Sequence, residues 1–158
     1  MDCITFAVLV SISQMWGAAT AAPMSVKFRV KWRSEQLVLK LKKIQVPAGM
    51  TLTQPADQLD GLSSVVALLD GYGELISDSP YLSQVKTEIS SLKGSLASLK
   101  QSRCGGEGKA YRTSAAGGAL QRLQSQRGFV LTVSMEALVR VMEILTRLLA
   151  NMENLDKC

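Results

Sequence analysis

The chain contains no histidine at all. That excludes Ser-His-Asp catalysis, histidine-ligated metal sites and the usual proton shuttle at neutral pH. Aromatic residues make up 5% of the sequence, so the interior is aliphatic, with leucine and valine suited to helix packing. No stretch is long and apolar enough to span a bilayer. Asn151 and Asn154 lack Ser or Thr two residues on, so no N-glycan is expected. The acidic side chains are scattered. Gly105-Gly106-Glu107-Gly108 does not sit between a strand and a helix, and reads as a flexible loop rather than a phosphate cradle. These absences point away from an enzyme, and no cofactor or metal is expected.

What is present begins with an apolar run, Ile4 to Ile12, followed by Gly17-Ala18-Ala19-Thr20-Ala21-Ala22-Pro23. Ala19-Thr20-Ala21 fits a small-residue cleavage signal, so residues 1–21 read as a signal peptide and 22–158 as the mature domain, secreted to the extracellular space. The leader is unusual in carrying Asp2 and no Lys or Arg. The alternative is a buried first helix of the fold. Cleavage removes Cys3 and leaves Cys104 and Cys158. Two cysteines in a secreted chain most simply form one disulfide; free thiols or an intermolecular bridge are the alternatives. An intrachain bond closes a loop of about 55 residues, worth roughly 4 kcal/mol in the chain-entropy model.

The whole chain carries 18 basic and 13 acidic residues, a net +5. Losing Asp2 with the leader leaves 18 against 12, about +6. The basic charge is concentrated at Lys27, Arg29, Lys31, Arg33, Lys40, Lys42 and Lys43. Such a run suits heparin, nucleic acid or an acidic partner; a solvated helix face is the simpler account.

Periodicity supplies the elements. Val26, Phe28, Val30 and Trp32 alternate with basic residues as a strand would, but Ser34, Leu37, Leu41 and Ile44 follow a helical line. No second strand exists to satisfy an isolated one, so Val26 to Gln45 is assigned as a helix. Pro47 ends it. A second helix is expected from about Asp57 to Ser77, on Leu59, Leu62, Val66, Leu69 and Ile76, weakened by Gly71 and Gly73 unless these permit a close contact. After Ser79, a candidate N-cap, and Pro80, the third helix carries Leu82, Val85, Ile89, Leu92, Leu96 and Leu99 and ends before Cys104. A short helix is expected around Leu120 and Leu123. The fourth long helix, capped at Thr132 or Ser134, runs on Leu138, Val141, Leu145, Leu148, Met152 and Leu155, with Glu136, Arg140, Glu143 and Arg147 mostly off that stripe. The few residues between the second and third helices make them antiparallel neighbours, while longer connections on either side permit crossovers. The resulting fold class is all-α, a four-helix bundle with up-up-down-down cytokine topology.

Four helices and two mature cysteines, one after the third helix and one at the C-terminus, resemble the leptins, particularly the divergent leptins of bony fish. Ala22-Pro23-Met24 sits where leptins begin. Val46-Pro47-Ala48-Gly49 is similar to their Ile-Pro-Gly segment, Gly117-Gly118-Ala119-Leu120 to their Gly-Gly-Val-Leu, and Gly128-Phe129 to their Gly-Tyr. The ladder ending in Cys104 matches their third helix. The likeness covers essentially the mature chain. It departs in a shorter segment before Cys104, a far more basic first helix, and Asp156-Lys157-Cys158 where mammalian leptins have Pro-Gly-Cys.

The resemblance implies a secreted hormone that activates a class I cytokine receptor, binds the leptin receptor ectodomain and regulates energy balance and feeding. It implies one receptor face on the first and third helices, here Glu35, Gln36 and Lys40 with Gln84, Ser91 and Ser95. It implies a second at the N-terminal edge of the last helix, at Phe129, Val130, Leu131 and Thr132. From the residues alone, Val130 and Leu131 either project outward or tuck under the long loop. The chain is expected to be a monomer with no nucleic-acid partner and no membrane insertion. The rival reading is a secreted helical carrier of an apolar ligand.

Overall fold

A computed structural model of the chain describes residues 24–44, 59, 61–105, 118–126 and 128–158, with the side chains of Asn154 and Leu155 left out. The assigned signal peptide, the Pro47 turn and the Gly106–Gly108 part of the glycine loop lie outside the described residues. The described elements are α1 (Val26–Lys43), α2 (Leu62–Leu75), α3 (Pro80–Cys104), α4 (Gly118–Ser125), α5 (Val130–Ala150) and a 3₁₀ turn, Met152–Asp156.

The alternating segment at the start of α1 is helical throughout. Ser25 caps it, its Oγ accepting from the Phe28 amide at 3.2 Å. Val30, Ser34, Leu37, Val38 and Leu41 turn inward, whereas Phe28 and Trp32 are exposed, so the alternation was never a buried face. A helix satisfies its backbone groups within the segment, and no partner strand is needed. The buried Ser34 hydroxyl donates to the Val30 carbonyl at 2.7 Å.

α2 starts at Leu62 and not near Asp57. Gly61 adopts φ 151°, which no helix continues, and the Ser64 hydroxyl completes the entry by accepting from the Gly61 amide and donating to the Gly61 carbonyl. The later start lengthens the connection from α1 to residues 45–60. Such a stretch reaches about 55 Å, comfortably past the ~27 Å of α1. α3 contains Cys104 as its last residue, and its six-residue ladder is buried in full. Ser79 is its N-cap residue but makes no side-chain cap bond; its carbonyl instead accepts from the Leu82 and Ser83 amides. Thr132 and Ser134 lie inside α5, two and four residues past its start at Val130. Ser134 is drawn inward because its Oγ accepts from the Ser77 amide at 3.0 Å, tying α5 to the turn between α2 and α3.

Pairings along the helices fix the topology. Arg33 meets Ser91 and Ser95 while Lys40 meets Glu88, so α1 and α3 run antiparallel. Lys93 meets Asp70 and Lys86 meets Asp78, so α2 and α3 do too. Lys27 contacts Asp156, whereas Leu41 and Lys42 line a groove with Leu138 and Val139; α1 and α5 are therefore antiparallel. Leu62 bonds Lys157 and Ser77 bonds Ser134, so α2 and α5 are antiparallel. Around the bundle the order is α1, α3, α2, α5, with α1 parallel to α2 and α3 parallel to α5 on the diagonals. This is the up-up-down-down arrangement. Its axis is filled by Leu37, Leu69, Tyr72, Leu92, Leu96, Ile144 and Leu145. Each such buried large side chain contributes about 1.5–3 kcal/mol relative to an exposed one.

α4 packs on α2 at Gly71, where an added Cβ would stand 2.5 Å from a Leu120 methyl. Gly71 therefore serves a close contact, while Gly73 faces only ordinary packing against Ile89. Glu136 and Arg140 lie off the leucine stripe of α5, yet they are 2% and 5% exposed, so the packed surface of the helix extends beyond that stripe to its flank.

Cys104 and Cys158 are bonded, with Cα atoms 5.8 Å apart. The tail they anchor touches the three other long helices. Asp156 accepts from Lys27 at 3.0 Å and from Arg103, and Leu62 donates its amide to the Lys157 carbonyl at 2.9 Å. The hydrogen bond and charge of Lys27, reinforced by Arg103, hold the Asp156 carboxyl below the ordinary range against a smaller opposing effect of burial. Gly61 admits this tail: a Cβ there would stand 2.9 Å from the Lys157 carbonyl oxygen, on a φ that side chains rarely adopt. Gly61→Ala is therefore expected to destabilise the fold by roughly 2–3 kcal/mol, with faster hydrogen exchange at the Leu62 amide. An unchanged melt with that amide still protected would refute the close-approach argument.

Candidate interaction surfaces

The first surface lies between α1 and α3. Trp32, Arg33, Gln36, Lys40, Glu88 and Ser91 line a groove of about 280 Å³. Its geometry follows from the two amphipathic helices. Their leucine-rich stripes pack into the core, so the residues beside those stripes meet across the seam. Arg33 donates through Nη1 to Ser91 Oγ at 2.5 Å and to Ser95 Oγ at 3.3 Å. Lys40 forms an ion pair with Glu88. Small hydroxyl side chains on α3 let the guanidinium lie close to the helix, and Arg33 also reaches the Ser91 carbonyl at 3.4 Å.

Of the residues expected on this face, Gln36, Lys40 and Ser91 are brought together in the groove. Ser95 joins them through Arg33. Glu35 and Gln84 are exposed but do not line it. Sequence reasoning missed Trp32, Arg33 and Glu88. The available signal was their position: Phe28 and Trp32 lie off the line of Ser34, Leu37, Leu41 and Ile44, where a large apolar side chain has no core to enter.

The second surface is the start of α5. Phe129 is 72% exposed, Val130 59% and Leu131 56%, with Thr132 half-buried. The first three project outward; they do not form a satellite cluster. Tyr81, 70% exposed at the start of α3, stands at the same end of the bundle, since the Ser77–Ser134 bond joins that turn to α5. These consecutive apolar side chains at the helix start stay outside the core of their own fold.

Other grooves differ in kind. One of about 300 Å³ between α2 and α3 is rimmed by Asp70, Glu74, Lys86 and Lys93, with Lys93 bonded to Asp70 at 2.5 Å. One of about 290 Å³ between α1 and α5 is lined by Leu41, Lys42, Ile44, Leu138, Val139 and Met142. Among the described residues, no group of three or more acidic or cysteine side chains is placed to hold a metal ion. None of the described helices is long and apolar enough to cross a membrane.

Comparison with known proteins adds the last observation. No protein-family model matches the chain, and no solved structure does. A curated protein named leptin from Tetraodon nigroviridis is 35% identical over 161 aligned positions, spanning 98% of this chain and 98% of that one. Another named leptin, from Takifugu rubripes, is 35% identical over 135 positions, 84% of this chain and 80% of its own length.

Proposed function

The chain belongs to the leptin family, a hormone and not an enzyme, and from that premise we propose that it is secreted and acts as a monomer by binding and activating a class I cytokine receptor, the leptin receptor, to regulate energy balance and feeding. The observation that carries this reading is the 35% identity to the Tetraodon nigroviridis leptin along virtually the full length of both chains. The two surfaces support it. A groove flanked by Gln36, Lys40, Ser91 and Ser95 on α1 and α3 offers one receptor contact, extended along those helices by Glu35 and Gln84. The exposed edge Phe129 to Leu131, with Thr132 behind it, offers a second. A receptor-activating ligand needs two such contacts to bring receptor chains together, and these lie on different parts of the bundle. Residues 1–21 act as the signal peptide in this reading.

The test is binding of oxidised residues 22–158 to the ectodomain of a bony-fish leptin receptor. Saturable binding is expected; a folded, disulfide-closed chain that does not bind would move the function to another receptor. The two faces are separable by mutation. Leu131→Ala with Thr132→Ala is expected to lower signalling potency in receptor-bearing cells by about tenfold or more, equivalent to ~1.4 kcal/mol at the second contact. Its affinity for the isolated ectodomain should stay near wild type. Equal loss of both would refute the division between faces. The carrier reading draws on the α1–α5 groove, and organic extraction of the purified chain that yields no bound lipid removes it.

A further inference from the structure

The outward side of α1 carries an apolar stripe that the bundle leaves uncovered. Phe28 is 50% exposed, Trp32 54% and Leu39 53%, and Met24, just before the helix, is 58% exposed. Within α1 the three recur at spacings of four and seven residues, which at about 100° per residue aligns them on one face. From Phe28 to Leu39 the stripe runs about 16 Å. It lies opposite the buried line of Val30, Leu37 and Leu41. Its centre, Trp32, also forms a wall of the α1–α3 groove.

The cations of α1 divide into two sets. Lys27, Arg33 and Lys40 are half-buried and engaged within the chain, by Asp156, by Ser91 and Ser95, and by Glu88. Arg29, Lys31, Lys42 and Lys43 are exposed and make no hydrogen bond or ion pair among the described residues. By helical position, Arg29 and Lys43 flank one side of the stripe, Lys31 and Lys42 the other. Glu35 is the single acidic residue of the helix. Glu35 falls on the line of the stripe between Trp32 and Leu39, and an apolar strip bordered on both sides by cations that make no ion pair among the described residues has a defined complement.

We infer that the partner surface seated on α1 is an apolar socket that receives Trp32, rimmed by carboxylates that face Arg29, Lys31, Lys42 and Lys43. This rests on the receptor reading above and names the chemistry of the receptor's side of the α1–α3 contact. Trp32 is the anchor: it is the largest exposed apolar side chain at the centre of the stripe, and tryptophan and arginine dominate the energetics of protein contacts. The flanking cations act mainly on encounter, because charges at the rim of an interface raise the association rate more than they slow dissociation. A receptor surface of this kind discriminates against a ligand whose first helix is acidic or neutral, since its carboxylates are then left without counter-charge.

The experiment uses the oxidised mature chain, the bony-fish receptor ectodomain and four proteins: wild type, Trp32→Ala, Trp32→Phe, and Arg29→Glu with Lys31→Glu. All altered positions are exposed, so circular dichroism and melting should match wild type. Trp32→Ala is expected to weaken binding by about 30- to 300-fold through faster dissociation, with Trp32→Phe recovering part of the loss. The charge-reversed pair should lower the association rate by about tenfold or more, and the wild-type rate should fall as salt rises. If wild type binds and both Trp32→Ala and the charge-reversed pair bind equally well, the socket is overturned while the receptor reading stands. If wild type itself does not bind, the receptor reading fails first. Vesicles containing phosphatidylserine provide the remaining arm: Trp32-dependent binding to them, with receptor affinity unchanged in Trp32→Ala, would assign the stripe to a lipid surface and overturn the inference.

Discussion

Replacing Arg140 by alanine is expected to destabilise the bundle by roughly 3–5 kcal/mol, a large share of the 5–15 kcal/mol typical of a domain. Arg140 donates through Nε to Glu136 Oε1 at 3.1 Å and through Nη1 to Glu143 Oε2 at 3.0 Å. The Arg140 and Glu136 side chains are 6% and 3% exposed. Truncation takes the Arg140 guanidinium away from the Glu136 carboxylate in a site shielded from water and opens a cavity beside it. Much of the cost is therefore the lost charge compensation in a dry flank and not the intrinsic worth of the pair. This distinguishes two variants. Arg140→Met together with Glu136→Leu, which removes both charges and keeps most of the volume, should be far less harmful than Arg140→Ala alone, and it can match wild type. Urea unfolding of the three oxidised proteins measures it. A single variant that loses less than about 1 kcal/mol, or a double that loses more than the single, would defeat this account of the flank. Glu143, whose side chain is 41% exposed, should matter much less, because water solvates what Arg140 no longer does.

Cys158→Ser should lower stability by roughly 4 kcal/mol and the melting temperature by about 12–16 °C. The chain-entropy argument rests on the 54-residue separation of the bonded cysteines. The structure adds a local consequence. The residues beside Cys158 reach α1 through Lys27, α3 through Arg103 and α2 through the Leu62 amide. Without the bond these exposed contacts must hold the tail alone, and exposed ion pairs contribute little. The start of α2 and the tail are therefore expected to lose hydrogen-exchange protection before the core does. Cys104→Ser should reproduce the effect, and the double variant should be no worse than either single one, since all three remove the same crosslink. A melt within a few degrees of wild type would show that packing already holds the tail in place.

Both results concern features unequally visible in the sequence. The crosslink was expected from counting: if residues 1–21 are cleaved as a leader, Cys104 and Cys158 are the two cysteines left to pair. The buried charges were hidden. Glu136 and Arg140 sit beside the stripe of Leu138, Val141 and Leu145, and on an isolated helix that flank faces water. Their burial, to 2% and 5% exposure, is a property of the assembled bundle, which no helical wheel contains. The caps of α5 were misread for a related reason. Thr132 and Ser134 look like helix starts because their hydroxyls favour that position, but Ser134 is occupied by the Ser77 amide 57 residues away.

The candidate site divides in the same way. Phe129, Val130 and Leu131 are open in the sequence to burial or exposure, and only the packed fold places them outside. Gln36, Lys40 and Ser91 were identified through likeness, yet the residues that complete their groove, Trp32, Arg33 and Glu88, emerge only when α1 lies antiparallel to α3. Gly61 shows no special status in the sequence; its role appears when the C-terminal backbone comes within 2.9 Å of where a Cβ would stand.

By itself the sequence determined the four long helices, most of their inward faces and the short helix near Leu120, and it pointed to Cys104 and Cys158 as partners, which the structure bonds. Those depend on local periodicity, on breakers such as Pro47 and Pro80, and on the strong preference of apolar stripes for burial. Tertiary structure alone decided which outward residues become neighbours, which charges are enclosed and where the tail is clasped. These depend on distances between residues far apart in the chain, and solvent-facing positions tolerate many side chains, so their pattern carries little information until the helices have packed.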